Sequence, residues 1–257
     1  MSQKYTIKSL LFITALSFAV NSIVCAEEFE AHLSWSKRVE LSTPVSGVVQ
    51  KVFVETGKNI AKGDVLIQLD PRAFKADLQY AKAKIKNTGE QNQEAKRELD
   101  RQLDMYDRTM LSDHELQIAK NNYTAAQAHY HQAQAELTKA KLNLEYSAIR
   151  APFNAVVIST SAVKGQVVAS DVTPPILVVV AEAKRMIARF YISTGKVNNF
   201  VVNQGAKVNV AGHVFSGKIF TIALEAAQSV AGHYAVDVVF DSEDKLLRAG
   251  QKVTVDL

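Results

Sequence analysis

The sequence predicts an α+β protein: a small β-sandwich split by one long helical hairpin and followed by a small β-barrel. Three observations favour this class. Two strand-rich stretches look like imperfect copies of one another, a proline-free helical segment separates them, and short strands at regular spacing fill the C-terminal part. With 257 residues, 47% hydrophobic and 22% charged, the chain has a globular balance and enough length for more than one core.

The N-terminal residues are typical of a secretory signal peptide. Lys4 and Lys8 precede an apolar run at residues 10–24, and the small residues that follow suit cleavage after Ala26. The run is too short to span a bilayer comfortably. We therefore predict that residues up to this point are a signal peptide and that the rest is exported. Two alternatives stay open: lipidation of Cys25, and retention of the run as an uncleaved anchor.

The two similar stretches predict the halves of one sandwich. In each, a proline stands three residues before a small residue that opens a β-branched run, and a glycine turn follows. These residues are Pro44, Gly47 and Gly57 in the first stretch, and Pro152, Ala155 and Gly165 in the second. β-Branched residues fit a pleated surface, so each stretch indicates a few short strands. We assign residues 27–70 and 149–181 to the sandwich.

The segment between the halves, residues 71–148, is predicted to be helical. It has no proline beyond Pro71, has one glycine (Gly89), and is rich in good helix formers. Its second half keeps a seven-residue repeat of large residues with alanines between them, at Leu116, Tyr123, Tyr130, Leu137 and Leu144, and at Ala119, Ala126, Ala133 and Ala140. Such a seam indicates close packing on a partner helix. In the first half we expect the seam to weaken at Thr88 and Asn92.

A turn divides this segment into two antiparallel arms. Ser112 is predicted to be an N-cap, and Glu115, three places later, completes a capping box. Each arm would be about 50 Å long. Residues 182–257 then return to short strands and predict the barrel. The expected strands are 186–192, 207–210, 214–224, 234–240 and 252–257.

These motifs resemble those of the periplasmic adaptor subunits of bacterial efflux pumps, the membrane fusion proteins of the HlyD type. The resemblance is carried by the run Pro44-Val45-Ser46-Gly47-Val48-Val49, by Leu69-Asp70-Pro71 and by Leu142–Phe153. It implies a lipoyl-like sandwich and a periplasmic protein that links an inner-membrane transporter to a TolC-like outer-membrane channel. A transporter of the resistance–nodulation–division class is favoured. The family also implies self-association, usually as a hexamer in the complex.

The resemblance also points to a docking site at the hairpin tip. In tripartite members an Arg, a Leu four places on and a Ser seven places further mark the residues that contact the channel. Arg101, Met105 and Ser112 stand at this spacing here, with Met in place of Leu. The alternative is that Arg101 merely pairs with Glu98 or Asp104 on a solvated helix face.

The sequence departs from the family pattern at two places. Asn154-Ala155 stands where the family usually has an acidic residue and Gly, and we expect an altered turn there. No membrane-proximal domain is expected after the barrel, or only a vestigial one. The transporter class therefore stays open, and an adaptor of an ABC-type exporter is the alternative.

The sequence predicts no catalytic residues, no cofactor and no metal site, so we expect a protein that is not an enzyme. The one cysteine and six scattered histidines form no ligand motif, and the formal charge of +4 is too small to indicate nucleic acid. Lipoyl and biotinyl domains carry a modified lysine between their halves, where this chain has Asp70-Pro71 and the helices. Two other classes remain: a cofactor-carrying domain of an exported enzyme, and a secreted coiled-coil binding protein without a channel partner.

Overall fold

A computed structural model describes residues 27–170, 174–228, 230–243, 245 and 247–257. The predicted signal peptide lies outside these residues. The helices are α1 (Arg72–Asp107) and α2 (Asp113–Tyr146), and a 3₁₀ turn spans Val197–Asn199. The strands are β1 (Glu28–Trp35), β2 (Arg38–Leu41), β3 (Gly47–Val52), β4 (Asn59–Ile60), β5 (Val65–Leu69), β6 (Ala148–Arg150), β7 (Ala155–Thr160), β8 (Val167–Val168), β9 (Val178–Glu182), β10 (Arg185–Ser193), β11 (Gly205–Val210), β12 (His213–Ala226), β13 (His233–Asp241) and β14 (Lys252–Asp256).

The sandwich consists of two four-stranded sheets, with strand orders β6-β5-β3-β8 and β2-β9-β7-β4. The two similar stretches open on β3 and β7, which lie in different sheets. The glycine turn of each stretch forms a hydrogen bond to the other stretch. The Gly57 amide donates to the Val157 carbonyl, and the Gly165 amide donates to the Val49 carbonyl, both at 2.8 Å. Both glycines have φ near +88°, a conformation that other residues rarely adopt. Each stretch therefore completes the sheet of the other, which explains the internal repeat.

The helical hairpin is inserted between β5 and β6, and its predicted seam is confirmed. Seam positions of α2 are buried or half-buried, whereas the residues between them are mostly exposed. The buried positions are Leu116, Ala119, Ala133 and Ala140. The expected weakening of the seam at Thr88 is wrong. Thr88 is buried, and its hydroxyl donates to the Lys84 carbonyl at 2.9 Å, so the helix itself satisfies the polar atom.

The glycine within α1 also belongs to the seam. A Cβ atom at Gly89 would lie 3.3 Å from Cε2 of the Tyr130 ring. Glycine disfavours a helix interior by about 1 kcal/mol relative to alanine. Here its lack of a side chain lets the Tyr130 ring lie close to the backbone of α1. The predicted Tyr position and the single glycine are therefore two parts of one contact.

The barrel is closed, with strand order β1-β10-β13-β12-β11-β14. The five predicted strands are confirmed as β10 to β14. One assignment needs correction, because the sandwich prediction began at residue 27. Strand β1 pairs instead with β10 and β14 and closes the barrel, with Glu28 opposite Asp256. The first strand and the last are thus neighbours, a long-range pairing for which the local sequence has no pattern.

Among the described residues, no helix has the length and apolar character that a membrane crossing requires.

Candidate functional site: the hairpin tip

Helix α1 ends in a hydrogen-bonded reversal that starts the tip. The Thr109 amide donates to the Tyr106 carbonyl at 2.8 Å, and the Met110 amide donates to the Met105 carbonyl at 3.0 Å. This pair of bonds defines a Schellman motif, which needs one residue in the left-handed region. That residue is Thr109, with φ of +57°. A β-branched residue is strained there, whereas glycine is the usual choice.

Helix α2 begins with the predicted capping box, which is confirmed. The Ser112 hydroxyl accepts from the Glu115 amide at 3.3 Å, and the Glu115 carboxylate accepts from the Ser112 amide at 3.1 Å. The Ser112 hydroxyl also donates to this carboxylate at 2.7 Å and lowers the pKa of Glu115. Ser112 therefore fixes the start of the second arm, whatever else it contacts.

A side-chain hydrogen bond across the turn connects the two arms. The Tyr106 hydroxyl donates to Oδ1 of Asp113 at 2.5 Å, which raises the pKa of Tyr106. Sequence reasoning missed this contact. The usable signal was the position of the two residues, because one stands just before the turn and the other just after the N-cap. The bond therefore adds a direct side-chain link between the two arms at the turn.

The structure brings two of the three predicted docking residues onto one helix face. Arg101 and Met105 are one turn apart on α1, while Ser112 lies across the reversal at the start of α2. The Arg101 side chain is 64% exposed and forms an ion pair with Glu98. The intrahelical pairing considered for Arg101 is therefore present, with Glu98 and not with Asp104, which pairs with Arg108 at 3.0 Å.

The tip also exposes apolar surface. Met105 is half-buried, whereas Met110 is 74% exposed at the turn. A flexible thioether side chain adapts to irregular apolar grooves. With the cation of Arg101 nearby on the same arm, the tip suits recognition of a surface. Within the described parts of the chain, no group of three or more His, Cys, Asp or Glu residues could hold a metal ion.

Comparison with known proteins places this architecture in a family. Residues 37–181 match the model described as "CzcB-like, barrel-sandwich hybrid domain". The macrolide export protein MacA of Yersinia pestis is 25% identical over 240 residues, which cover 86% of this chain and 64% of MacA. The multidrug resistance protein MexA of Pseudomonas aeruginosa is 27% identical over 129 residues, which cover 50% of this chain and 30% of MexA. The chain thus spans less than two thirds of the length of these curated relatives.

Solved structures share the fold. A MacA–MexA chimeric protein that contains the Pseudomonas aeruginosa MexA α-hairpin domain superposes with a TM-score of 0.69 at 26% identity, covering 90% of this chain and 79% of the chimera. MacA of Actinobacillus actinomycetemcomitans superposes with a TM-score of 0.71 at 23% identity, covering 90% and 78%. These matches confirm the predicted fold class of split sandwich, helical hairpin and barrel.

The matched family model covers more than half of the chain and includes both halves of the sandwich and the whole hairpin. The chain therefore belongs to the CzcB-like barrel-sandwich hybrid family, which confirms the resemblance of its motifs to the membrane fusion proteins of efflux pumps.

Proposed function

We propose that this chain is a periplasmic adaptor that links an inner-membrane transporter to an outer-membrane channel for the export of small molecules. The observation that carries the proposal is the helical hairpin. Its arms of 36 and 34 residues reach about 50 Å from the sandwich and end in an exposed tip. A protein that bridges two membrane components needs reach and a recognition surface, and it needs no catalytic residue. The names of the relatives, a macrolide export protein and a multidrug resistance protein, agree with this role.

The proposed partners follow from the same role. We favour a transporter of the resistance–nodulation–division class and a TolC-like channel, with an ABC-type exporter as the alternative transporter. An adaptor that seals a conduit must repeat around it, so we propose a ring, six-membered in the complex. The isolated protein would then self-associate weakly and complete its ring on the transporter.

Within this role, we assign channel docking to Arg101, Met105 and Ser112. Arg101 presents a planar fork of donors that suits carbonyl or carboxylate acceptors of a partner. Its present bond to Glu98 does not oppose docking, because exposed ion pairs are weak and exchange readily with other acceptors. Met105 supplies an adaptable apolar contact one turn further along α1. Ser112 would both cap α2 and face the partner.

A charge reversal with a matched control tests the docking assignment. Arg101→Glu should abolish channel binding and drug efflux, while the melting temperature changes little because the side chain is exposed. Arg97 is the control, since it lies one turn further from the tip on the same helix and also pairs with a glutamate three residues before it, Glu94. Arg97→Glu should leave efflux near the level of the unchanged protein.

The outcomes separate the docking site from the function itself. Normal efflux with Arg101→Glu, at normal protein level, would remove the docking assignment and leave the adaptor role standing. A second experiment addresses the role: the chain is deleted from cells, and the unchanged chain is isolated after cross-linking. Unaltered drug susceptibility on deletion, together with no transporter or channel in the cross-linked material, would contradict the adaptor function.

A further inference from the structure

The end of the barrel that carries both chain ends of the described structure also carries an exposed apolar surface. Strand β1 starts there at Glu28, opposite Asp256 near the end of β14. The loop that follows β10 reaches the same end, because the Thr194 amide donates to the Gly232 carbonyl at 3.2 Å and Lys196 pairs with Glu27. The sandwich is connected to the opposite end of the barrel, through Trp35 and Arg185.

Strand β12 is irregular at this end and exposes two apolar side chains. The register between β12 and β13 shifts between Ile219 and Thr221, and again between Ile222 and Ala226. Bulges of this kind re-aim the side chains that they contain. Leu224, 97% exposed, lies within the second shift, whereas Phe220, 59% exposed, faces outward by the ordinary alternation of the strand, next to the buried Ile219.

Neighbouring loops extend this surface. Residues 201–204 run beside β12, since the Asn203 amide donates to the Ile219 carbonyl at 2.8 Å and the Ile219 amide donates to the Gln204 carbonyl at 2.9 Å. We call the resulting surface the barrel-end patch; its members are Val201, Val202, Phe220, Leu224 and Val230, all exposed. Exposed apolar residues are unremarkable one by one, but a group of them marks an interaction site.

We propose that the barrel-end patch rests on the surface of a phospholipid bilayer. Position is the first argument. The patch lies at the end of the barrel where the described chain starts, at Glu27, three residues after Val24, the last residue of the apolar run. A lipid anchor at Cys25 or an uncleaved anchor would hold the chain at the membrane at this point, and cleavage after Ala26 would leave the new N-terminus at the same end of the barrel. Three residues span about 10 Å at most, so either anchor would hold the patch close to the bilayer.

Composition is the second argument. Hot spots of protein–protein interfaces are enriched in Trp, Tyr and Arg, whereas Leu and Val are under-represented there. The patch consists of three valines, one leucine and one phenylalanine, side chains that insert into the boundary between headgroups and acyl chains. Lys196, beside it, is neutralised by Glu27. We therefore expect apolar insertion to dominate over attraction to anionic lipid.

A fluorescent probe with a matched control on the same strand tests this contact. Leu224→Cys carries an environment-sensitive dye in the full chain with Cys25→Ser, so that the dye reacts at one position and no lipid anchor contributes. Val214→Cys is the control, because Val214 is 62% exposed and lies near the other end of β12. Vesicles of phosphatidylethanolamine and phosphatidylglycerol, with and without nitroxide-labelled lipid, are the probe.

The expected result is a blue shift and quenching by nitroxide lipid at position 224, with neither at 214. In flotation assays Phe220→Ser with Leu224→Ser should reduce vesicle binding at least tenfold, while the melting curve stays unchanged because both side chains are exposed. Equal responses at 224 and 214 would overturn the proposal. A shift at 224 that requires the transporter, or one that depends on protein concentration alone, would overturn it too, in favour of a protein partner or a second copy. None of these readouts depends on efflux.

Discussion

The barrel and the hairpin of this protein are stabilised in opposite ways. The barrel encloses large apolar side chains such as Phe190, Met186 and Ile219, all at most 1% exposed. The two helices of the hairpin have seven buried residues together, of which four are alanines. The helices meet the sandwich only at their base, where Phe74 and Leu144 pack against its core. Along the rest of their length they gain stability by close approach along a narrow seam. The comparison teaches that the barrel should be sensitive to loss of volume and the hairpin to gain of volume.

Loss of volume in the barrel should have the largest effect. Phe190 is fully buried and stacks on Phe29 with 4.7 Å between ring centroids. Phe190→Ala should reduce the free energy of unfolding by about 3–5 kcal/mol, measured by chemical denaturation. Phe220→Ala is the control, since the same residue type is 59% exposed there and should change stability little. Similar losses in both variants would show that the barrel core is not where the structure puts it.

Gain of volume in the hairpin seam should have the second-largest effect on stability. Ala133 is fully buried between the helices, whereas Ala128, on the same helix, is exposed. Ala133→Leu should destabilise the hairpin by about 1–3 kcal/mol, because the arms must separate to admit the larger side chain. Ala128→Leu should be close to neutral, since both residues favour a helix. Helix content by circular dichroism during thermal unfolding distinguishes the two; equal melting would argue against a close-packed seam.

A change in the turn should stabilise the hairpin by a smaller amount. Thr109 occupies a left-handed position that glycine adopts without strain. Thr109→Gly should therefore raise the stability of the tip by about 0.5–1 kcal/mol. Thr109→Ala removes the same hydroxyl but keeps a Cβ atom, so it should bring no comparable gain. Hydrogen exchange of the amides in the last turn of α1 measures the difference in stability. A gain in stability with alanine as large as with glycine would show that the backbone at Thr109 is not strained.

The smallest expected effect is on pH dependence at the root of the hairpin. Asp70 accepts from the Arg72 guanidinium at 2.6 Å and from its backbone amide at 3.0 Å, which lowers the pKa of Asp70 to about 2. Because the folded-state pKa is depressed, this stabilisation is present above the usual aspartate pKa near 4 and is lost as the pH falls toward 2. Carboxyl titration by NMR should show a midpoint near 2 for Asp70. Arg72→Ala should return it to the usual range, and an unshifted midpoint in the unchanged protein would disprove the pairing.

Much of this architecture was predictable because it depends on local patterns. The seven-residue repeat, the capping box at Ser112 and the glycine turns at Gly57 and Gly165 each act within a few residues. The features that the sequence did not reveal depend on long-range strand pairing or on a buried polar group that is satisfied within its own helix. The place of β1 in the barrel depends on pairing with residues more than 200 positions away, and Thr88 fits the seam because its own helix accepts its hydroxyl.

The candidate site at the hairpin tip was likewise only partly predictable from the sequence. The spacing of Arg101, Met105 and Ser112 was readable, as was the N-cap role of Ser112. The bond between Tyr106 and Asp113, and the exposure of Met110 at the reversal, required the actual geometry of the turn. A sequence shows which residues stand near a turn, whereas the folded turn decides which of them face solvent.

The central claim is that the hairpin holds its tip against an outer-membrane channel, away from the β-domains. The most direct measurement is photo-cross-linking in cells, with a benzophenone amino acid in place of the exposed Met110 at the tip or the exposed Tyr80 toward the base of the same hairpin. The account predicts a cross-linked product that contains the channel at position 110 and none at position 80. No channel product at 110 in cells that carry out efflux, or channel products of equal yield at both positions, would contradict it.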